Sequence, residues 1–127
     1  MFFIKDPEIY DELWDSNPAT AVLKGAAEVR QDVFGFWLKD RETVNQDVAF
    51  IYRNRQTLAD KIAGTGEAIL AGDRVYAMVN QALFVTANPV GVAGTDYYYC
   101  GTAKRDADAA AVTVLIRFDG TRYDENI

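Results

Sequence analysis

Few side chains in this chain are equipped for chemistry. Its 127 residues include no histidine. That removes the usual general base, the Ser-His and Cys-His nucleophile pairs and the commonest transition-metal ligand. Carboxylates remain, as Asp11 with Glu12, Asp106 with Asp108, and Asp124 with Glu125. Acid/base catalysis needs two carboxyls in different environments, one of them raised by burial. These pairs fall in turns or near the termini, where water keeps both members ionised. Asp106-Ala107-Asp108 offers oxygens to a calcium ion, but the rest of an EF-hand ligand set is missing. The one cysteine, Cys100, lies between Tyr99 and Gly101 in a predicted strand, with no lysine nearer than Lys104. Nothing there lowers its pKa, so it reads as a buried structural thiol. Gly64-Thr65-Gly66 lacks the third glycine of a dinucleotide loop, Leu70 standing in its place, and the Gly-Lys-Ser/Thr of a P-loop. It reads as a plain turn. The expectation is a protein that is not an enzyme and takes no cofactor or metal.

Other side chains suit contact rather than catalysis. In the run Tyr97-Tyr98-Tyr99, a strand places Tyr97 and Tyr99 on one face and Tyr98 on the other. Tyrosine brings large apolar area with a polar tip, which favours interfaces. The same run also fits core packing with hydroxyls reaching the surface. Arg53-Asn54-Arg55 is the densest basic spot and reads as a partner contact or an exposed strand end. The N-terminal stretch carries Phe2, Phe3, Ile9, Tyr10 and Trp14 among acidic residues. These ten aromatic, aliphatic and basic residues are the candidate contact set.

The elements that must position them read as β. Val29 to Leu38, with Gly35 marking a bulge or close backbone approach, is the first strand-like stretch. Asp47 to Arg55, Arg74 to Val79, Ala82 to Thr86, Tyr97 to Lys104 and Val112 to Phe118 follow. Asn80-Gln81 reads as a two-residue hairpin loop and Ala71-Gly72-Asp73 as a turn. Thr57 to Ala63 is ambiguous, because Leu58 and Ile62 are four apart. Short strands with turn signals every eight to twelve residues point to an all-β fold, a small β-barrel or β-sandwich of antiparallel strands. Residues 1–22 read as an extended arm, with a short helix begun by Asp6-Pro7 presenting Ile9, Leu13 and Trp14; its aromatics either dock on a partner or pack back on their own domain. Residues 23–120 form the domain and residues 121–127 a polar tail.

Composition bounds the partners. The length fits one domain, and hydrophobic residues make up 50% of it, enough for a core without disulfides or metal. The formal net charge of −6 argues against wrapping nucleic acid, which needs clustered Lys and Arg. A single cysteine allows no intrachain disulfide, so no oxidising compartment is required. No segment approaches the roughly 20 apolar residues of a membrane span, and the N-terminus does not read as a signal peptide.

The order of segments resembles the capsid decoration (cement) proteins of tailed bacteriophages. Asp32 to Asp40 (DVFGFWLKD) is similar to their first strand, and Asp47 to Lys61 falls where a second lies. Gly66 to Tyr76 (GEAILAGDRVY) is similar to their glycine-bounded turn and strand. Ala82 to Val85, Gly91-Val92-Ala93 with Gly101-Thr102-Ala103, and Asp106 to Phe118 complete the series. Arg53-Asn54-Arg55 departs from it, standing where the family tends to have an acidic residue and glycine. The resemblance implies a virion protein, made in the host cytoplasm, on the outer capsid surface. Its partners would be the major capsid protein and sister copies, as a homotrimer. A tail or head-completion protein and a small ligand-binding barrel are the rival expectations.

Overall fold

The computed structural model describes residues 1–5, 10–15, 22–30, 33–40, 48–90 and 97–120. Among the described residues, nine strands form one antiparallel sheet. They are β1 (Phe3–Ile4), β2 (Tyr10–Asp15), β3 (Ala27–Arg30), β4 (Val33–Trp37), β5 (Val48–Asp60), β6 (Arg74–Met78), β7 (Val85–Thr86), β8 (Tyr97–Ala103) and β9 (Thr113–Asp119). The main path runs β3-β4-β5-β9-β8-β6-β7 and curls into a half-barrel. A bridge between Lys61 and Val85 ties β7 back to the residue that follows β5. The chain is thus all-β, as its segment pattern predicts.

The 13-residue β5 is the spine. One edge of β5 takes β4 at Phe50 and Ile51, then β9 from Arg53 onward. The other edge takes β2 along Val48–Asn54 and β1 at Thr57 and Leu58. This corrects the reading of Thr57 to Ala63: strand β5 runs through to Asp60. Pairing on both edges satisfies its backbone, which outweighs the helical spacing of Leu58 and Ile62.

Residues 1–5 and 10–15 are extended, as expected of an arm, but they lie along β5 rather than apart from it. The expected helix around Leu13 and Trp14 is strand β2 instead. So short a helix scarcely nucleates, whereas an open edge of β5 offers ready hydrogen bonds. Phe2 donates its amide to the Gly25 carbonyl at 2.9 Å, Lys5 donates to Gln56 at 2.7 Å, and the N-terminal ammonium pairs with Asp60. Ile9 and the tail 121–127 lie outside the described residues.

Phe2, Phe34, Phe36 and Phe118 form the aromatic centre of the core, with ring centroids 5.3 to 5.8 Å apart. Such pairs each add about 0.5–1.5 kcal/mol beyond the area they bury. Ile51, Ile69, Val75, Val85, Cys100 and Ile116 continue the core into the barrel. Trp37, Val48, Phe50 and Val22 pack as a second cluster. Gly35 makes the close approach that its place in a strand suggests: a Cβ there would strike the Ile51 carbonyl and the Phe50 ring. Val29 to Leu38 is two strands, β3 and β4, paired with each other. The expected two-residue loop at Asn80-Gln81 is instead a turn of 3-10 helix over Val79–Gln81, followed by left-handed Ala82 and Leu83. No glycine is present there to make the tighter turn.

Candidate interaction surface

The face of β6 and β8 opposite the main core carries an aromatic cluster in which Tyr76 and Tyr97 are buried and Tyr99 is half-buried. Tyr76 stands 5.7 Å from Tyr97 and 5.9 Å from Tyr99, ring centre to ring centre, both edge-on. Arg74 lays its guanidinium 4.8 Å from the Tyr99 ring centre. A bulge in β8 makes this arrangement possible. Val75 pairs with Gly101 and Tyr76 pairs with Tyr99, so Cys100 is the extra residue. Cys100 is buried in the core, and Gly101 follows it at φ +139°. The insertion resets the alternation, which leaves both Tyr99 and Thr102 on the outer face. A Cβ at Gly101 would also collide with the Arg117 carbonyl of the neighbouring strand.

Beside the tyrosines lies an open groove of about 940 Å³, lined by Leu70, Arg74, Tyr76, Pro89, Val90 and Tyr97 among others. Leu70 and Val90 are 61% and 72% exposed, so large apolar side chains face solvent at its margin. The turn that presents Leu70 is fixed by two hydrogen bonds. Asp73 donates its amide to the Leu70 carbonyl at 3.0 Å, and its carboxylate accepts the Leu70 amide at 2.9 Å. Asp106 anchors the same turn by accepting the Ala71 amide at 2.8 Å. Asn88, which also lines the groove, donates its backbone amide to the Thr86 hydroxyl at 3.0 Å and its side-chain amide to the Gly66 carbonyl at 3.1 Å, and Thr86 donates to Glu67 at 2.6 Å. The Gly64–Gly66 turn is thereby tied to a residue of the groove.

The candidate contact residues separate into groups. Tyr97 and Tyr99 share the outer face and Tyr98 packs against the core, as alternation requires. Tyr97 is itself buried, contributing only where it lines the groove. Phe2 is corrected outright: it is 2% exposed and belongs to the core, so no partner reaches it. Phe3, Tyr10 and Trp14 have described backbone positions in β1 and β2, and Ile9 has none. Arg53 and Arg55 are exposed on β5, with Arg53 lying 4.0 Å from Asp119.

Two buried groups complete the picture. Burial pushes the Cys100 thiol up from its ordinary value, so it stays protonated and inert. Lys61 is only 1% exposed, a position sequence reading passed over. Its ammonium, partly buried at the barrel rim, donates to the carbonyls of Ile62, Ala109 and Ala111 at 2.8, 3.3 and 3.2 Å. Burial lowers its pKa, while the charges of Glu67 and Asp108 raise it. Lys61 thus stitches the end of β5 to the loop before β9.

No protein-family model, curated protein or solved structure matches the chain.

Proposed function

We propose that this chain is a structural binding module of a tailed-phage virion. In this reading it decorates the outer surface of the expanded capsid and bridges neighbouring capsomers against the pressure of packaged DNA. Its partners are the major capsid protein and sister copies of itself, arranged as a homotrimer, and it carries no catalytic activity. One observation supports this reading above others. Gly66–Tyr76, the stretch most similar to the decoration proteins, supplies Leu70, Asp73, Arg74 and Tyr76 to the open outward groove. The segment behind the resemblance thus lines the groove that this reading takes as its contact surface.

The physical logic is avidity. A modest contact repeated over a lattice raises the effective concentration of each further contact. A clamp that binds only the assembled shell stabilises it by mass action. Adding the purified chain to expanded heads that lack it should raise the temperature at which they release DNA. An unchanged release temperature at saturating protein would argue against the clamp.

A further inference from the structure

The longest uncharged run in the chain surrounds the turn between β6 and β7. Residues 75–95 contain no Asp, Glu, Lys or Arg, in a chain of which 25% is charged. Of the seven large apolar side chains exposed among the described residues, three fall in this run: Val79 at 45%, Phe84 at 38% and Val90. A fourth, Leu70, lines the same groove as Val90. Val90 also lines a smaller pocket with Asn80 and Gln81 of the turn. Turn and groove are therefore one continuous face.

The turn is built to hold its apolar side chains outward. Ala82 and Leu83 take φ of +55° and +63°, left-handed backbone that side chains other than glycine rarely adopt. Such strain persists only where the surroundings fix it, and it gathers at functional segments. Here Leu83 packs against the core, which leaves Val79 and Phe84 exposed on either side of it. Three backbone bonds lock the shape: Met78 donates to Phe84 at 3.0 Å, Leu83 to Met78 at 2.9 Å and Phe84 to Gln81 at 3.0 Å. A turn already ordered loses little freedom on contact.

We propose that this uncharged face is where copies of the chain meet. Charge selects a second copy as the occupant. Each copy carries a net charge of −6, so copies repel, and they approach best where neither presents a charge. Contact through this face buries apolar side chains without stranding a charge from either copy. The face also holds both parts of a self-complementary contact, an exposed apolar turn beside an open groove. Asp73 and Arg74 line the groove from outside the uncharged run, which suits the polar rim of an interface with an apolar centre. The number of copies, three, rests on the decoration reading; the surface does not.

The test is sedimentation velocity of the full chain over a range of concentrations. The intact chain should associate reversibly. Phe84→Glu and Val90→Glu should each weaken association by about tenfold or more, because an unpaired carboxylate would enter the contact. Leu23→Glu puts the same charge at an exposed apolar position just before β3, the far end of the strand path from β7, and should leave association unchanged. Near-ultraviolet circular dichroism confirms that each variant is folded; should Phe84→Glu unfold, Val90→Glu decides. A chain that stays monomeric at every concentration, folded Phe84→Glu and Val90→Glu variants that associate as the parent does, or equal weakening by Leu23→Glu would overturn the proposal. Expanded heads tested in parallel separate the two claims. Association that Val90→Glu weakens, without head binding by the intact chain, would remove the decoration reading and leave the contact between copies standing. Head binding by a chain that never self-associates would do the reverse.

Discussion

The guanidinium of Arg74 lies 4.8 Å from the centre of the Tyr99 ring and 5.9 Å from that of Tyr76, capping the aromatic cluster. Register sets the contact, because Arg74 and Tyr99 sit on either side of the β8 bulge. A cation over a ring at an exposed site adds about 0.5–1 kcal/mol. The edge-on contact with Tyr76 adds a similar amount. Tyr99→Ala should therefore lower unfolding stability by about 1–3 kcal/mol while keeping the fold. Urea denaturation measures this; a loss above that range would mean that Tyr99 is a core residue.

Asn54 governs from within the bulge in β5 that precedes Thr57. Asn54→Ala removes the acceptor for the Gln56 amide and orphans the buried Thr57 hydroxyl. An unmade buried hydrogen bond costs about 1–3 kcal/mol. The variant should lose that much stability in urea. An unchanged stability would show that the Gln56 amide and Thr57 hydroxyl find other partners.

Lys61 should give a characteristic pH response. Its pKa is lowered in the fold from the ordinary 10.5, with burial the larger cause. Between the lowered value and 10.5 the unfolded chain binds more protons, so the Lys61 contribution to stability rises with pH there. Below the lowered value the cost of burying the charge is present in full. Lys61→Met keeps the stem and removes the titration. The stability of the parent relative to Lys61→Met should therefore increase as pH rises toward 10.5. A flat difference across that window would show that the ammonium is solvated at the rim.

Cys100 should be silent in the native protein. Its side chain is fully buried, and burial raises its pKa. A maleimide should label it only as the chain unfolds, at a rate set by the opening equilibrium. Rapid native labelling at neutral pH would place the thiol in a solvent-reached position and contradict the packing behind the β8 bulge.

Much of the fold was legible in local pattern. The strands around Arg74, Tyr97 and Val112, the turn at Ala71-Gly72-Asp73 and the buried Cys100 follow from turn chemistry and alternation. The N-terminal strands were not legible, because β1 and β2 exist only through pairing with β5, far along the chain. The apolar character of Phe2 looked like a docking arm, but Phe34, Phe36 and Phe118 supply its partners inside the domain. The candidate surface was half legible. Tyr97-Tyr98-Tyr99 and Arg53-Asn54-Arg55 stood out by composition, whereas the contact between Arg74 and Tyr99 depends on the β8 bulge and the pairing register of β6 with β8. Lys61 carried no signal beyond an unremarkable lysine at the end of a strand.

The central claim is that this protein binds an assembled shell. Its most direct test is co-sedimentation of the purified chain with expanded heads, and with unexpanded proheads, of the tailed phage to which the proposal would assign it. Saturable binding to expanded heads alone is the result this account predicts. No binding to either particle would contradict it.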